Sequence, residues 1–324
     1  MKKYALAAAV ALFLIAASIT SREEAIPKEG FFNYTLHFCS REDCIKEITA
    51  SLQAAKSQVK CAFYRVDGDL MLSIPANVPA WIVVDKGARI PAAGNVKISN
   101  ASSKGIMHNK YCIIDDTTLI TGSFNPVEEA KSDYNNLLII NSTALAAFYS
   151  SDFSMLKEGK TQAPAAGHAR RKRAILNATL IEVYFCPQDN CIDAVRRALR
   201  KANSSILFAA YSFTHPEIAN ELIIKTAEGV QVTGVMEKSG SGSVHSKYAA
   251  MAVNGIGVRL ESSKWLMHHK FFVVDGETVI TGSFNPTKNA AERNDENVII
   301  ITSKEFAGMY VEEFDTINNR SSAQ

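Results

Sequence analysis

The hydrophobic residues of the chain form two kinds of run, and the difference is clearest between positions 179 and 317. Short continuous apolar runs are typical of buried strands, whereas apolar residues three or four positions apart are typical of amphipathic helices. The pattern predicts strands at 179–185, 205–211, 230–236, 257–260, 271–274, 278–280 and 298–301, and helices at 192–202, 216–227, 244–253 and 304–317. Alternation of buried strands with helices indicates an α/β sandwich with a mixed sheet.

The dipeptide Asp275-Gly276 separates two of these strands and is a strong signal for a β-hairpin. The same order of elements is expected earlier in the chain. There, however, residues 65–103 form a shorter stretch than their counterparts and are richer in proline and glycine. We therefore expect the earlier region to keep its sheet and to lose part of its helical cover.

An internal duplication explains why the two regions share one order of elements. The Cys39/Cys44 pair recurs 147 positions later as Cys186/Cys191, and the heptapeptide at 120–126 recurs unchanged at an offset of 160. The first copy is therefore shorter in its middle. We expect two tandem α/β half-domains, each with a mixed sheet flanked by helices, related by a pseudo-twofold axis. Their predicted bounds, with the linker between them, are 30–156, 157–176 and 177–319.

The first residues of the chain have the layout of an export signal. Lys2 and Lys3 precede an unbroken apolar run at 4–17, which is followed by small and then charged residues. The run is shorter than the roughly 20 apolar residues of a membrane span. We expect residues 1–21 to be a cleaved signal peptide or an uncleaved N-terminal anchor. The protein is then secreted, periplasmic or at the cell surface, or it is anchored to a membrane and faces outward.

Composition narrows the class of protein without assigning a function. Hydrophobic residues make up 47% of the chain and charged residues 21%, a balance that excludes disordered and fibrous classes. The net charge is only +2. Such a charge gives no chain-wide field for nucleic-acid binding, although a local basic cleft is compatible with it.

The cysteines fit an oxidising compartment. There are six: Cys39, Cys44, Cys61, Cys112, Cys186 and Cys191. The two pairs with equal spacing are each expected to form a local disulfide that joins a strand end to the next helix. The alternative is a metal site, but neither pair has a neighbouring histidine or cysteine cluster to complete four ligands. Cys61 and Cys112 lie in apolar runs and are expected to be buried thiols.

Each copy carries one set of polar residues in one order. The sets are His108, Lys110, Asp115, Ser123 and Asn125 in the first copy, and His268, Lys270, Asp275, Ser283 and Asn285 in the second. The histidine and lysine are two positions apart, so on a strand they face the same side. Imidazole, ammonium, amide and hydroxyl groups gathered at strand ends suit a phosphate diester.

Two copies bring two histidines to the pseudo-twofold axis, where one can act as nucleophile and the other as proton donor. The two lysines and two asparagines can neutralise charge in the transition state, so the pattern requires no metal and no cofactor. A single histidine beside a lysine on a strand is ordinarily a surface or core feature. That interpretation fails to explain the same order of residues twice.

The sequence His-x-Lys-x4-Asp followed by Gly-Ser-x-Asn is the HKD signature, and in both copies the chain resembles the phospholipase D superfamily. The resemblance covers nearly everything after the export segment. Residues 267–297, with His-His-Lys, Thr-Gly-Ser-Phe-Asn and Asp-Glu-Asn-Val-Ile, look particularly similar to Nuc-type endonucleases and mitochondrial cardiolipin hydrolases. Those small relatives are homodimers of one half, so the resemblance implies the same arrangement fused into one chain, without an obligate dimer.

The resemblance implies two-step hydrolysis of a phosphodiester through a phosphohistidine, with His108 as nucleophile and His268 as general acid and base. It also implies supporting roles: phosphoryl binding by Lys110, Lys270, Asn125 and Asn285, loop support or hydrogen-bond donation by Ser123 and Ser283, and a structural part for Asp115 and Asp275.

Glu296 occupies the position at which the family carries a carboxylate that orients a catalytic histidine. The offset of 160 places Asn136 at the equivalent position of the first copy, which therefore lacks this carboxylate. The two histidines should then differ in pKa. The sequence leaves open whether Glu296 orients His268 or reaches across to His108, and the second arrangement would favour His108 as nucleophile.

Two substrate classes fit the resemblance. Hydrolysis of a phospholipid such as phosphatidylcholine or cardiolipin is slightly preferred, because an exported or anchored protein meets membranes. It predicts apolar residues at the cleft mouth, and the candidates, which core packing also explains, are Trp265, Leu266 and Phe271. A Nuc-like endonuclease predicts a basic groove, which residues 170–173, Lys264 and Lys288 could build. A non-catalytic lipid- or nucleic-acid-binding protein is a third interpretation, disfavoured because both motifs are complete.

Overall fold

The computed structural model describes residues 25–91, 94–160, 172–261 and 263–321. The predicted export segment at 1–21 and two of the basic linker residues, Arg170 and Arg171, lie outside these ranges. Among the described residues, no helix combines the length and the apolar character needed to cross a membrane.

The first half-domain is built on a seven-stranded mixed sheet. Its strands are β2 (Asn33–Phe38), β3 (Val59–Phe63), β4 (Ala80–Val84), β5 (Val96–Asn100), β6 (Lys110–Ile114), β7 (Thr118–Gly122) and β8 (Asn136–Asn141). Its helices are α1 (Cys44–Gln53), α2 (Gly68–Met71) and α3 (Thr143–Lys157), with a 3₁₀ turn at Glu128–Ala130. The order across the sheet is β2-β8-β7-β6-β3-β4-β5.

The second half-domain is built on a nine-stranded sheet. Its strands are β1 (Lys28–Glu29), β9 (Lys172–Leu176), β10 (Thr179–Cys186), β11 (Ser205–Ala210), β12 (Gln231–Glu237), β13 (Gly257–Glu261), β14 (Lys270–Val274), β15 (Thr278–Gly282) and β16 (Glu296–Thr302). Its helices are α4 (Cys191–Leu199), α5 (Pro216–Ala227), α6 (Lys238–Ser241), α7 (Tyr248–Val253), α8 (Lys288–Glu292) and α9 (Lys304–Arg320).

The strand order of the first sheet recurs in the second as β10-β16-β15-β14-β11-β12-β13, with β9 and β1 added at the edge. This confirms the predicted α/β fold of two tandem half-domains. The predicted strands of the second copy are all present. The helix predicted at 244–253 begins only at Tyr248, because the Gly- and Ser-rich residues before it disfavour helix.

The segment predicted as a linker is shorter than expected. Helix α3 ends at Lys157, and residues 172–176 form β9 instead of a connection. Asn177 and Ala178 both have positive φ, which allows the tight turn that folds β10 back against β9. Pairing of β9 with β10 explains why the end of the predicted linker is ordered as a strand.

The first half-domain has less helical cover than the second, as predicted. Between β3 and β4 it has only α2, a helix of 4 residues, whereas α5 at the equivalent place has 12. The inner faces of both sheets share one apolar core with α3 and α9, including Tyr149, Phe153, Phe306 and Tyr310. This shared core fixes the two sheets relative to each other, and with them the strand ends that carry the motif residues.

Three disulfides link the cysteines. Cys39–Cys44 and Cys186–Cys191 confirm the two predicted local bridges. The expectation of buried thiols at Cys61 and Cys112 is wrong, because these residues also form a disulfide. They lie directly opposite each other on the antiparallel strands β3 and β6, with Cα atoms 4.1 Å apart, a register that the sequence pattern alone did not reveal.

Candidate active site

The two His-Lys pairs come together where β6 and β14 begin. His108 N donates to Asp295 O at 2.9 Å, and His268 N donates to Tyr134 O at 3.1 Å, so each motif is held by backbone of the other half-domain. Both histidine side chains line one cleft of about 990 Å³. Asn125 and Asn285 line the same cleft, and their Oδ1 atoms have no hydrogen-bond partner among the described residues.

The two lysines lie beneath this cleft and are almost fully buried. Lys110 Nζ donates to His108 O, and Lys270 Nζ donates to His268 O, each at 2.7 Å. Burial lowers the pKa of Lys110 to about 7, and burial together with Lys110 lowers the pKa of Lys270 well below its usual range. A bound anion would offset both effects, so the site favours a negatively charged ligand.

Two tyrosines complete the walls of the site. Tyr64 follows β3 and its ring centroid lies 5.1 Å from that of His108, while Tyr211 follows β11 and lies 5.0 Å from His268. The ammonium groups of the two lysines lie over the same rings, at 5.4 and 5.5 Å. Neither tyrosine belongs to the repeated motifs, but the two are 147 positions apart, which is also the offset of the nearby cysteines and could have identified them.

Glu296 reaches across to the first half-domain. Its Oε2 lies 2.8 Å from His108 Nδ1 and accepts a hydrogen bond of 2.6 Å from Ser283 Oγ. Asn294 Nδ2 donates to the other carboxylate oxygen at 3.1 Å. The ionised carboxylate of Glu296 can only accept a hydrogen bond from His108 Nδ1. His108 therefore carries its proton on Nδ1 and presents the lone pair of Nε2 to the cleft. Of the two arrangements that the sequence left open, the structure has the one in which Glu296 contacts His108.

The counterpart of Glu296 is Asn135, and the assignment to Asn136 was wrong by one position. Asn135 Oδ1 lies 2.8 Å from His268 Nδ1 and accepts from Ser123 Oγ at 2.9 Å. The second copy contains one more residue between its Gly-Ser-x-Asn motif and Glu296, which a constant offset of 160 ignores. Asn136 instead donates to the Tyr310 hydroxyl at 3.1 Å, inside the core.

The two histidines therefore differ in electrostatic environment. Burial lowers the pKa of His108 to about 4 even though Glu296 opposes the shift. The pKa of His268 is lowered well below its usual value by burial and then by Lys270 and Lys110, with no carboxylate partner to oppose them. Burial tends to raise the pKa of Glu296, but His108 and Lys110 outweigh it and lower that pKa.

Asp115 and Asp275 lie outside the cleft, at the turns of the two hairpins. Asp275 accepts hydrogen bonds from the backbone N–H groups of Asn203, Ser204 and Ser205 at 2.8 to 2.9 Å. Asp115 makes the equivalent bonds to residues 56–58. Both aspartates have positive φ. Each fastens its hairpin to the loop before the neighbouring strand, away from the reacting groups.

Only some of the residues that the sequence suggested for substrate binding line the cleft. Leu266 and Lys288 line it, and Trp265 is 39% exposed beside Leu266 with Lys264 Nζ 4.5 Å from its ring centroid. Phe271, by contrast, is fully buried in the shared core, so for this candidate the alternative interpretation of core packing is the correct one. Of the basic run, Lys172 pairs with Asp189 at 2.5 Å.

His269, between the two motif residues of the second copy, faces away from the cleft and lies 3.1 Å from Glu313 Oε1. Within the described ranges, no group of three or more histidine, cysteine, aspartate or glutamate side chains could hold a metal ion.

Comparisons with known proteins agree with this geometry. A family described as "Cardiolipin synthase, PLD-like domain" matches residues 80–157 and 195–318. A phospholipase D of Rickettsia conorii is 32% identical over 147 residues, covering 45% of this chain and 72% of that protein. A mitochondrial cardiolipin hydrolase of Xenopus tropicalis is 30% identical over 135 residues, covering 41% of this chain and 64% of that protein.

Among solved structures, the phosphatidylserine synthase of Haemophilus influenzae is similar over 90% of this chain and 89% of its own, with a TM-score of 0.68. At 12% sequence identity this is a likeness of fold. It extends over both half-domains and so supports their tandem arrangement.

Proposed function

The chain belongs to the phospholipase D superfamily and is a phosphodiester hydrolase; on that premise, we propose that it acts through a phosphohistidine formed on His108. The observation that carries the proposal is the unequal support of the two histidines. His108 has the carboxylate of Glu296 at 2.8 Å, whereas His268 has the neutral amide of Asn135 at the same distance.

In the first step His108 Nε2 attacks phosphorus, a nitrogen–phosphorus bond forms, and the bond from phosphorus to the leaving oxygen breaks. The phosphorylated ring becomes cationic, and Glu296, which already accepts from Nδ1, stabilises that charge. Lys110, Lys270 and the amides of Asn125 and Asn285 surround the phosphoryl oxygens and stabilise their negative charge.

His268 is the general acid and base in this proposal. A substrate phosphate brings negative charge next to it and raises its pKa, so Nε2 can carry a proton to the leaving oxygen. The same nitrogen then removes a proton from the water that attacks phosphorus and releases His108. Each half-domain supplies one histidine, so in this proposal one chain holds the complete site without a partner subunit.

Phospholipid is the preferred substrate class. It is supported by the named activities of the two relatives and by apolar side chains at the cleft rim: Val244 is 93% exposed, and Leu266 and Trp265 lie beside the second motif. The three disulfides and the charge pattern of residues 1–21 support an exported location, with membrane association through that segment. Endonuclease activity is the second candidate, favoured by Lys247 and Lys288 at the same rim.

The test compares purified protein with His108→Ala and His268→Ala in EDTA, using vesicles of phosphatidylcholine or cardiolipin, single-stranded DNA and RNA. We expect cleavage of phospholipid and a loss of about 10⁴-fold in each variant, because nucleophile and proton donor are both required. His37→Ala is the matched control, since His37 pairs with Glu42 outside the cleft. Cleavage of nucleic acid alone selects the nuclease, and no cleavage by folded protein favours a binding protein.

A further inference from the structure

One carboxylate lines the catalytic cleft. Among the described residues around this cleft, Asp133 is the only aspartate or glutamate. It lies beside His268, because the backbone carbonyl of the next residue, Tyr134, accepts from His268 N at 3.1 Å. Lys247 and Lys288 line the cleft too, but within the described ranges neither forms an ion pair with Asp133. Because like charges repel, this carboxylate disfavours an anionic diester unless part of the substrate compensates its charge.

The backbone contact of Asp133 does not require its charge. Asp133 Oδ1 accepts a hydrogen bond of 2.9 Å from the N–H of Leu266, two positions before His268. Asn294 is the equivalent residue of the second copy, and its Oδ1 accepts from the N–H of Ile106, at the matching place before the first motif, at 3.2 Å. A neutral amide therefore makes the same bond on the other side of the pseudo-twofold axis, and the negative charge of Asp133 is not needed to hold the loop.

Asp133 and Asn294 differ in the contacts of the remaining side-chain atom. Asn294 Nδ2 donates to Glu296 Oε1 at 3.1 Å and so supports that carboxylate. Asp133 Oδ2 has no hydrogen bond or ion pair within the described part of the chain. Burial raises the pKa of Asp133, and Glu237 adds to this effect, against the N–H of Leu266. A positively charged ligand group next to the free oxygen would offset both effects.

We propose that Asp133 is a specificity-determining residue that binds a hydrogen-bond donor, an ammonium group above all, on the leaving alcohol. The inference rests on the proposed function, in which His268 protonates the leaving oxygen, so the leaving alcohol lies on the side of Asp133. Asn294, at the equivalent place beside His108, carries no such charge. The pseudo-twofold site therefore distinguishes the two ester substituents of a diester, and the one with an ammonium or hydroxyl group is placed opposite the nucleophile and released.

The place of the leaving alcohol is also the place of an alcohol that attacks the phosphohistidine instead of water. In that step the alcohol oxygen bonds to phosphorus, the phosphorus–nitrogen bond to His108 breaks, and His268 takes the proton of the alcohol. Because this step is the reverse of leaving-group departure, Asp133 favours an acceptor alcohol through the same contact. The choice of acceptor thus reports on Asp133 for any diester that forms the intermediate.

The test offers the intermediate two acceptors of equal size. Protein is given bis(p-nitrophenyl) phosphate at pH 7 with equal concentrations of ethanolamine and 1-propanol, and the two mixed diesters are quantified by mass spectrometry. We expect the ratio of ethanolamine to 1-propanol product to fall about tenfold in Asp133→Asn, which loses the charge but keeps the acceptor oxygen for Leu266. The ratio should not change in the control Glu277→Gln, which removes a negative charge that pairs with Lys304 at an exposed turn.

Three results would overturn the role of Asp133: an unchanged ratio in Asp133→Asn, an equal change in Glu277→Gln, or transfer to water alone with no ethanolamine product. Release of p-nitrophenolate separates this inference from the proposed function. If wild type and Asp133→Asn both release it and only the ratio fails, the proposed function stands without this contact. If wild type releases none, the proposed function fails and the inference fails with it.

Discussion

The two half-domains have the same strand order but keep their central strands together by different means. In the first, Cys61 and Cys112 face each other across β3 and β6 and form a disulfide. In the second, the same positions of β11 and β14 carry Phe208 and Phe272, whose ring centroids are 5.9 Å apart. A Cβ atom at Gly234 would overlap the ring of Phe208, so the absence of a side chain there makes room for this packing.

The half-domain with the disulfide is also the one with fewer residues in helices over the outer face of its sheet. The outer core of the second half-domain gains apolar side chains from α4, α5 and α7, whereas the first half-domain has α1 and only the short α2. Hydrophobic burial and a covalent link are alternative sources of stability, and the link acts by restricting the unfolded chain. The shortened half-domain thus has a disulfide at the place where its counterpart has a packed pair of phenylalanine rings.

The largest expected effect concerns the disulfide that the first half-domain has in place of aromatic packing. Replacing Cys61 and Cys112 together by valine should lower the free energy of unfolding by about 4 kcal/mol, the value expected for a closed loop of roughly 50 residues. Urea denaturation measures it. Removing the Cys39–Cys44 bridge in the same way should cost only about 2 kcal/mol, since that loop is short. Equal losses would show that the cross-strand bridge has no special part in stabilising the first half-domain.

A second prediction concerns the unequal partners of the two histidines. Glu296→Gln keeps the shape of the side chain and removes its charge, so kcat should fall about a hundredfold as the phosphorylated ring loses its counter-charge. Asn135→Asp adds a charge beside His268 and should raise the pKa of that histidine. The pH profile of kcat should then shift its alkaline limb upward with little loss of rate. Equal rate losses in the two variants would contradict the assigned roles.

The smallest expected effect concerns the hairpin turns. Burial acts to raise the pKa of Asp275, but the N–H groups of Ser205, Ser204 and Asn203 outweigh it and lower the pKa to about 2. Because the folded pKa is depressed, the stabilisation is present above the ordinary value of about 3.8 and is lost as the pH falls toward 2. Asp275→Asn should cost at most about 1 kcal/mol at pH 7, since the group is largely exposed.

Urea titrations of wild type and Asp275→Asn at several pH values check this prediction. The difference in unfolding free energy should be constant from pH 7 to 5 and shrink between pH 4 and 2. A difference that persists unchanged at pH 2 would mean that the carboxylate charge does not fasten the hairpin.

Most of the fold could be predicted from the sequence because the chain contains two copies of the same unit. The bounds of α5 match the prediction to the residue, and the repeated motifs identify His108 and His268 from the sequence alone. Local periodicity and turn chemistry suffice for such features, because they depend on neighbours along the chain.

Features that depend on register between distant strands were not predicted. The Cys61–Cys112 bridge needs β3 and β6 aligned residue by residue, which apolar runs do not specify. The reach of Glu296 to His108 crosses between half-domains, and a single extra residue moved its counterpart from Asn136 to Asn135. A constant sequence offset identifies the repeated unit, but it does not specify which side chains contact each other in the folded protein.

The proposed nucleophile is His108, supported by Glu296, in a site shared by the two half-domains. The most direct measurement mixes His268→Ala with bis(p-nitrophenyl) phosphate, quenches in base and locates the phosphorylated peptide by mass spectrometry. Because p-nitrophenolate leaves without a proton, we expect a stoichiometric burst and an adduct on His108 that hydrolyses slowly. The opposite result would contradict the proposed role of His108: no adduct on His108 in the His268→Ala variant, and an adduct on His268 in the reciprocal His108→Ala variant.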